Sequence, residues 1–365
     1  MKRTDELAGS APPLPSQEPI RLVDPQGHRV GEAEYLTPEP GTLLALLRAM
    51  IIGRRFDRQA SALARQGRLA VYPSSHGQEA CQVGGVLALA DDDWLFPTYR
   101  DCVSLVTRGV DPVEVLTLLR GDWHSGYDPE PHRCAPQCTP LATNASHAVG
   151  LTYAARRKGQ DAAALVLMGD GATSEGDAHE AYNFAAVWNT PVVFLIQNNR
   201  WAISVPVDKQ TAAPTLAHKA IGYGMRGYNV DGNDAAAVHA VVSHALAEAR
   251  AGGGPAIVEA QTYRLDPHTN SDDPQRYRDD AEVEYWKARD PLTRLEALLR
   301  GEGLLDDAEV ERMSAEGERL AADVRERLSG PDRLTPEELF SHVYSTAPAM
   351  LRRQRQELLD EMRKG

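Results

Sequence analysis

Two polar residues stand at the ends of two apolar runs, and their side chains would suit a magnesium ion. Asp170 lies between two glycines directly after the apolar run 163–168, and Asn199 follows the run 192–196. The two positions are 199 − 170 = 29 residues apart. Carboxylate and amide oxygens are hard ligands of the kind that Mg²⁺ takes, and such a site keeps positions for water and phosphate oxygens. The glycines would let a pyrophosphate group approach the backbone.

The stretch between Asp170 and Asn199 predicts the element that brings them together. Ser174 and Asp177 are candidates for a helix N-cap, and Pro191 ends the helix. One apolar face of this helix is predicted to hold Ala181, Phe184, Ala185 and Trp188. A strand, a helix and a second strand form a βαβ unit, whose strands are parallel with a right-handed crossover. Both polar residues would then lie at the carboxyl ends of strands, where open α/β sheets bind ligands.

The composition is that of a large acidic globular protein. The chain has 365 residues, 42% of them hydrophobic, which is ample for a sizeable core. A net charge of −13 argues against binding to nucleic acid or to an anionic membrane surface. No run of roughly 18 apolar residues is present to span a membrane. The start of the chain lacks the apolar core of a secretory signal, and the few cysteines do not form a disulfide framework, so a cytoplasmic location is expected.

Alternating strand and helix patterns predict a doubly wound, mainly parallel α/β sheet with helices on both faces. We expect an N-terminal extension at 1–39 that is partly mobile, an α/β domain at 40–290, and a helical C-terminal region at 291–365. The further predicted elements are helices at 40–66, 78–90, 102–108, 112–120, 141–158 and 235–251, strands at 93–96, 226–230 and 256–261, and a charged loop at 263–280. No second alternating series follows that could build another such domain.

Several segments occur in an order typical of one enzyme family. They are VYPSSHGQEA at 71–80, FPTYRD at 96–101, CTPLATNASHAVG at 138–150, the unit around Asp170, VDGND at 230–234, YRLDPHTNSDD at 263–273 and ELFSHVY at 338–344. On these motifs the chain resembles the alpha subunits of the decarboxylating first component of 2-oxo acid dehydrogenase complexes. The resemblance extends from about residue 40 to the end of the chain. It implies the thiamine diphosphate-binding fold, with thiamine diphosphate and magnesium as cofactors.

The resemblance assigns roles to individual residues. It implies that Asp170 and Asn199 bind magnesium through their side chains, and that Trp201 binds it through its backbone carbonyl. His268 corresponds to the active-site histidine beside the diphosphate and the reacting carbon. The positions expected to bind the cofactor are Tyr99, Arg100, Thr139, Leu141, Gly169, Asp170, Gly171, Ala172, Asn199 and His268.

The implied activity is oxidative decarboxylation of a 2-oxo acid and transfer of the acyl group to a lipoyl group on the acyltransferase component. The run of motifs favours branched-chain substrates, with pyruvate as the alternative, and Tyr72 and His76 are expected to line the substrate pocket. A beta subunit would supply the missing second domain in a hetero-tetramer of two alpha and two beta chains. The loop 271–280 would meet the lipoyl domain. The alternative from another class is a non-catalytic, nucleotide- or phosphate-binding Rossmann-like protein, although no GxGxxG follows an early strand.

The segment 121–138 departs from the family pattern. His124, His132, Cys134 and Cys138 are residue types that bind zinc, but the CxxxC spacing is loose and the histidines precede it irregularly. We therefore expect free thiols and no metal in this segment. Asn144 stands where a glutamine of the family often helps to bind a structural monovalent cation, and its shorter side chain leaves that cation open.

Overall fold

The computed structural model describes residues 12–31, 35–121, 126–330, 335–341 and 344–364. The chain divides into two compact units, Met1–Arg325 and Glu326–Gly365. The domain boundaries that we expected at residues 40 and 291 stay a prediction. Within the described residues, no helix combines the length and the apolar character needed to cross a lipid bilayer.

A parallel sheet forms the centre of the first unit. The strands of the chain are β1 (Trp94–Phe96), β2 (Ala164–Gly169), β3 (Val192–Asn198), β4 (Trp201–Ala202), β5 (Val205–Pro206), β6 (Arg226–Asp231) and β7 (Ala256–Gln261). Five of them pair in the order β1-β2-β3-β7-β6, and every neighbouring pair is parallel. The carboxyl ends of these strands therefore lie at one end of the sheet. Strands β4 and β5 form an antiparallel hairpin directly after β3.

Helices make up most of the remaining chain. They are α1 (Pro40–Arg65), α2 (Glu79–Leu87), α3 (Cys102–Thr107), α4 (Pro112–Arg120), α5 (Pro129–His132), α6 (Thr143–Arg157), α7 (Gly176–Trp188), α8 (Ala235–Glu248), α9 (Asp280–Lys287), α10 (Pro291–Gly301), α11 (Asp307–Arg327), α12 (Pro336–Ser341) and α13 (Ala349–Met362). The second unit contains α12 and α13. The predicted helices and strands are confirmed, with end points that differ by at most three residues.

Helices cover both faces of the sheet, so the predicted fold class is confirmed. On one face, Val166 and Phe194 belong to a buried cluster that includes residues of α6 and α7. On the other face, α2 comes so close that a Cβ atom on Gly85 would lie 2.8 Å from Leu195 Cδ2. Only glycine permits this approach of a helix backbone to the sheet.

Two details that we predicted for α7 are wrong. Its buried face consists of Ala178, Ala181, Tyr182 and Ala185. Phe184 and Trp188 are instead 44% and 39% exposed, and their ring centroids lie 4.6 Å apart. Small alanine side chains let the helix lie close to the sheet, and the two larger rings pack on the outer side. The N-cap is Glu175, because Ser174 ends a 3₁₀ turn that comes between β2 and the helix.

Short segments pair with both outer strands of the sheet. The Ile20 N–H donates to the Asn229 carbonyl of β6 at 2.8 Å, and the Asp231 N–H donates to the Ile20 carbonyl at 3.0 Å. On the opposite side, residues 134–138 form parallel bridges with β1 and the residues that follow it. We did not predict either pairing from the sequence.

Asp234 connects three parts of the first unit. Its carboxylate caps α8 by accepting a hydrogen bond from the Ala237 N–H at 3.1 Å. It also accepts hydrogen bonds from the N–H groups of Leu22 and Val23, at 2.8 and 2.7 Å. Arg294 of α10 lies 3.5 Å from the same carboxylate, and both side chains are buried. The N-terminal segment, α8 and α10 therefore share one buried acceptor.

Replacing Asp234 with alanine should lower the free energy of unfolding by at least about 3 kcal/mol, because it removes a helix cap and leaves buried N–H groups without an acceptor. Urea unfolding followed by circular dichroism measures this change. The control is Asp161→Ala at an exposed position between α6 and β2. That variant should change the free energy by no more than about 0.5 kcal/mol. Equal unfolding midpoints for the two variants would contradict the role of Asp234.

Candidate active site

Four turns deliver polar residues to one cavity. Arg100 follows β1, Asp170 follows β2, Asn199 follows β3, and His268 lies in the loop after β7. These four strands are adjacent in the sheet. The cavity at their carboxyl ends has a volume of about 370 Å³. Residues that are far apart in the sequence become neighbours here, at the end of the sheet where α/β folds bind ligands.

The cavity brings together the positions that we predicted to bind cofactor and metal. The predicted residues that line it are Tyr99, Arg100, Thr139, Leu141, Gly169, Asp170, Gly171, Ala172, Asn199, Trp201 and His268. Further lining residues that we did not predict are Val71, Pro73, Gln78, Thr98, Asp101, Leu119, Gln197, Ile203, Arg264 and Thr269. The roles assigned to the predicted residues stay predictions, whereas their common location is a property of the structure.

Asp170 is a buried carboxylate with only 1% of its surface exposed. Gln210 Nε2 donates a hydrogen bond to its Oδ2 at 2.6 Å, and no arginine or lysine of the described residues forms an ion pair with it. Burial raises the pKa of this carboxyl, although the hydrogen bond from Gln210 and the charges of Arg264 and Arg200 act in the opposite direction. A buried carboxylate without a cationic partner is unfavourable. A bound cation would offset that cost, so Asp170 fits the predicted metal site.

Asn199 and Trp201 supply two further oxygens to the cavity. Asn199 Nδ2 donates to Gln78 Oε1 at 2.9 Å, and its Oδ1 accepts from the Trp201 N–H at 3.2 Å. This contact with the N–H two residues ahead is a local turn that asparagine favours. The Trp201 carbonyl lies 3.5 Å from Arg264 Nη1. An amide oxygen and a carbonyl oxygen in the same cavity as Asp170 are ligands of the kind that magnesium takes.

The turn after β2 is packed tightly against the β4–β5 hairpin. A Cβ atom on Gly171 would lie 2.7 Å from Ala202 Cβ, so glycine is required here. Arg200 and Ile203, at the two ends of the first hairpin strand, have φ angles of 75° and 57°. Ala142, before α6, has a φ angle of 65°. Such backbone conformations cost about 1–3 kcal/mol each and gather at functional sites. We expected Gly171 to let a pyrophosphate approach the backbone, and in the structure it also lets the hairpin pack closely.

Two arginines hold the ring of His268. Arg100 Nη2 donates to His268 Nδ1 at 3.0 Å and to its carbonyl oxygen at 3.1 Å. Arg264 Nη1 lies 3.2 Å from the same Nδ1. Because a guanidinium only donates, Nδ1 is the acceptor and the neutral ring carries its proton on Nε2. Burial and the nearby charge of Arg100 lower the pKa of Arg264 to about 10. This concentration of positive charge suits an anion such as a diphosphate.

His268 is a neutral hydrogen-bond donor near pH 7. Burial, followed by the charges of Arg100 and Arg264, lowers the pKa of the His268 ring to about 4. Asp272 has the opposite effect on this pKa. Its carboxylate accepts a hydrogen bond from the His268 backbone N–H at 2.8 Å, so the ring nitrogens are not its partners.

The loop that carries His268 is closed by its own polar side chains. The Tyr277 hydroxyl donates to Asp272 and accepts from Arg264 Nη2, the latter at 3.1 Å. The guanidinium of Arg278 donates to backbone carbonyls of the same loop. The loop that we predicted is confirmed, and its charged residues bond to one another and to its backbone. We did not predict Arg264 as part of the site, although it lies within the predicted loop in the motif YRLDPH.

Tyr72 and His76 do not line this cavity. Tyr72 is buried, and its hydroxyl donates to Asp57 at 2.8 Å. Its neighbours Val71 and Pro73 line the cavity instead. His76 Nδ1 lies 3.1 Å from an oxygen of Asp266, and the ring borders a separate cleft. Contact of Tyr72 and His76 with substrate stays a prediction, and the cavity lining gives it no support.

The segment with the candidate zinc ligands contains ordinary thiol contacts. Cys134 Sγ donates to the His132 carbonyl at 3.4 Å, and Cys138 Sγ donates to the Pro140 carbonyl at 3.0 Å. Burial raises the pKa of the Cys134 thiol to about 12. The cysteines at 81, 102, 134 and 138 are free thiols in the structure. His124 lies outside the described residues, so the expected absence of zinc stays a prediction.

Asn144, the candidate for a monovalent cation site, is buried at the start of α6. Its Nδ2 donates to the carbonyls of Phe96 and Leu167 at 3.2 and 3.0 Å. Its Oδ1 is buried and has no hydrogen-bond partner among the described residues. An unpartnered buried oxygen fits a cation ligand, and the cation itself stays a prediction.

Residues 47–329 match the family model of the dehydrogenase E1 component. Because this match covers most of the chain, the chain belongs to the dehydrogenase E1 component family. It is 45% identical to the 3-methyl-2-oxobutanoate dehydrogenase subunit alpha of Mycobacterium tuberculosis over 346 residues, which is 94% of each chain. It is 37% identical to the pyruvate dehydrogenase E1 component subunit alpha of Staphylococcus aureus over 344 residues, which is 92% of this chain and 91% of the relative.

These relationships confirm the enzyme family that the motifs indicated. The homology is stronger to the alpha subunit of the 3-methyl-2-oxobutanoate type than to that of the pyruvate type. Thiamine diphosphate is the cofactor that membership of this family implies. The alternative of a non-catalytic Rossmann-like protein has no support from the relatives.

The pKa of His268 should be about 4 in the free protein and should rise in Arg264→Gln, because that change removes a neighbouring positive charge. NMR titration of histidine-labelled protein measures both values. Since the unfolded chain titrates at the ordinary value of 6.5, His268 should lower the stability as the pH falls from 6.5 towards 4. Arg276→Gln, at an exposed position in the same loop, is the control and should leave the pKa of His268 unchanged. A wild-type value near 6.5 would contradict the described environment.

Proposed function

We propose that this chain is the alpha subunit of a branched-chain 2-oxo acid dehydrogenase. The enzyme would decarboxylate 2-oxo acids oxidatively and pass the acyl group to a lipoyl group on the acyltransferase component. The observation that carries the proposal is the convergence of the predicted cofactor positions on one cavity beside the buried carboxylate of Asp170. The identity of 45% to a 3-methyl-2-oxobutanoate dehydrogenase subunit, against 37% to a pyruvate dehydrogenase subunit, favours branched-chain substrates. Pyruvate is the alternative substrate.

Magnesium would be held by the side chains of Asp170 and Asn199 and by the backbone carbonyl of Trp201. The described residues contain no group of three or more His, Cys, Asp or Glu side chains that could hold a metal. A site with one carboxylate and two neutral oxygens leaves positions for diphosphate oxygens and water, which suits magnesium. The buried charge of Asp170 is the strongest support for a cation at this place.

The diphosphate would be held by Arg100 and Arg264. Arg264 is 1% exposed, and no group in the described part of the chain forms a hydrogen bond with its buried Nε. The Arg100 guanidinium lies 5.5 Å from the centre of the Tyr99 ring, which helps to fix its direction. The backbone of Gly171 and Ala172 lines the same cavity. Planar guanidinium groups bind phosphate oxygens through pairs of N–H donors.

When bound, thiamine diphosphate supplies the nucleophilic carbon and stores the electrons that decarboxylation releases. His268 would donate a hydrogen bond from Nε2 to the reacting group, since both arginines keep Nδ1 as an acceptor. The apolar side chains of Val71, Leu119 and Ile203 would exclude water and contact the aliphatic part of a branched substrate.

A beta subunit would complete the site. Val71, Leu141 and Ile203 line the cavity, yet they are 37%, 39% and 55% exposed. Exposed apolar groups at the rim of a site mark a surface that another chain covers. We therefore propose a hetero-tetramer of two alpha and two beta chains, in which the beta subunit covers this rim and the backbones of Thr139 and Leu141 hold the aminopyrimidine.

The lipoyl domain of the acyltransferase component would approach along the loop 271–280, which continues from His268. The cytoplasm is the proposed location, because the relatives are bacterial proteins and no membrane-crossing helix is found among the described residues. Binding to nucleic acid is not part of this proposal, since the net charge is −13.

Asp170→Ala should abolish magnesium-dependent binding of thiamine diphosphate and leave the protein folded, because it removes the charged metal ligand. Isothermal titration calorimetry measures the binding. The isosteric Asp170→Asn should also lose binding, but it should raise the melting temperature of the free protein at neutral pH, because an unpaired buried charge is gone. Wild-type affinity for the cofactor in either variant would reject the proposed metal site.

The decisive experiment combines this chain with the beta subunit and measures decarboxylation of a panel of 2-oxo acids. We expect no turnover by the chain alone and activity that saturates at equal numbers of the two chains. The kcat/KM should be higher for the keto acids of valine, leucine and isoleucine than for pyruvate. An extra methylene is worth about 1–3 kcal/mol of discrimination, so some turnover of pyruvate is expected. A higher kcat/KM for pyruvate would reverse the substrate assignment, and full turnover by the chain alone would remove the need for a beta subunit.

A further inference from the structure

A row of hydrogen-bonded side chains runs along the cavity from Asp101 to Asn199. Gln197 Nε2 donates to Asp101 Oδ1 at 2.6 Å, Gln78 Nε2 donates to Gln197 Oε1 at 2.9 Å, and Asn199 Nδ2 donates to Gln78 Oε1 at 2.9 Å. All four side chains are buried, with exposed fractions of 0% to 5%. We call Asp101, Gln197, Gln78 and Asn199 the amide chain.

The direction of the amide chain is fixed at one end by the carboxylate of Asp101 and at the other end by the Trp201 N–H, which donates to Asn199 Oδ1 at 3.2 Å. A carboxylate has only acceptors, whereas a side-chain amide has one donor end and one acceptor end. The backbone N–H and the hydroxyl of Thr98 donate to Asp101 Oδ2 at 2.7 and 2.6 Å. Gln82 Nε2 donates to Asp101 Oδ1 at 3.1 Å. The described neighbours of this carboxylate are therefore donors, as an ionised aspartate requires.

Each amide of the chain then fixes the next one. Gln197 turns its nitrogen toward Asp101, so its oxygen faces Gln78. Gln78 turns its nitrogen toward Gln197, so its oxygen faces Asn199. Asn199 turns its nitrogen toward Gln78, which leaves Oδ1 for the N–H of Trp201 and for a ligand in the cavity. The reversed Asn199 amide would present a nitrogen with two hydrogens, which does not bind a cation.

We propose that Asp101 acts through Gln197 and Gln78 as a positioning residue that, together with the Trp201 N–H, makes Asn199 present its oxygen to the metal. The inference rests on the proposed magnesium site. Reversal of a single amide would place two donors or two acceptors face to face in a buried site, so the amide chain reverses as a whole or not at all. The orientation of Asn199 is thus set before the metal arrives, and metal binding requires no rearrangement of this ligand.

The test uses the full chain assembled with the beta subunit, with Mn²⁺ as the probe at saturating thiamine diphosphate. Electron paramagnetic resonance gives the dissociation constant of Mn²⁺. In Asp101→Asn, the new side chain keeps its oxygen on the Thr98 N–H, which only donates, so its nitrogen faces the donors Gln197 Nε2 and Gln82 Nε2. This end then favours the reversed chain while the Trp201 N–H still favours the original one, so the Asn199 oxygen is no longer held toward the metal from both ends. Mn²⁺ binding should weaken about 10–100-fold, the range found for residues that orient metal ligands.

A second substitution should restore the orientation. In the double variant Asp101→Asn/Gln78→Glu, the carboxylate at position 78 accepts from both Gln197 and Asn199, so Asn199 again presents oxygen. Mn²⁺ affinity should return towards the wild-type value, and Gln78→Glu should strengthen Mn²⁺ binding more in the Asp101→Asn background than in the wild-type background. A purely electrostatic effect of the new charge would strengthen Mn²⁺ binding equally in both backgrounds. The unequal effect is what the positioning role requires.

The control is Asp93→Asn, which removes another buried carboxylate at the opposite end of β1, where it pairs with Arg250. It should lower stability and leave Mn²⁺ affinity unchanged. Should Asp101→Asn not fold, Gln78→Met interrupts the amide chain beside Asn199 and should weaken Mn²⁺ binding.

The outcomes separate the two proposals. Absence of Mn²⁺ binding by the wild-type complex would overturn the magnesium site itself. Wild-type affinity in Asp101→Asn or in Gln78→Met, or an equal effect of Gln78→Glu in both backgrounds, would overturn the positioning role alone.

Discussion

The cavity contains buried charge of both signs that the described part of the chain does not neutralise. Asp170 is buried and forms no ion pair with an arginine or lysine of the described residues, while Arg100 and Arg264 converge on one nitrogen of a neutral histidine. Each unpaired buried charge costs about several kcal/mol. The free protein therefore carries an unfavourable electrostatic energy, which a divalent cation and a diphosphate would offset together. The adjacent strand ends, the closed loop around His268 and the strained hairpin after β3 hold these charges in place before a ligand arrives.

Much of the fold could be predicted because strands and helices leave local signals. Apolar runs such as 163–168 predicted buried strands, and Pro191 predicted the end of α7. The buried face of α7 was predicted wrongly, because hydrophobicity alone favours large rings such as Trp188. Packing against the sheet instead selected alanines such as Ala181, which let the helix come close. Which side chains of α7 face the sheet depends on the distance between the helix and the sheet. That distance cannot be read from the local sequence pattern.

The candidate site was predictable where residues belong to recognisable motifs, as for Asp170 and His268. Tyr72 shows the limit, because a motif does not tell which side chains of an extended segment enter the core and which reach the cavity. The amide chain joins residues from three separate segments, and its order depends on the pairing of strands. Arg264 and Arg100 likewise contact the same nitrogen of His268 only because β7 and β1 end at the same side of the sheet.

The pairing of short segments with both outer strands has a consequence for how the protein behaves in a crowded solution. An uncovered outer strand offers a row of free N–H and C=O groups to which another chain can add. Here Ile20 occupies that position beside β6, and residues 134–138 occupy it beside β1. Association through strand addition is thereby hindered at both sides of the sheet. Partners are directed to side-chain surfaces, where shape and charge select among them, and the cavity rim at the carboxyl ends of the strands is one such surface.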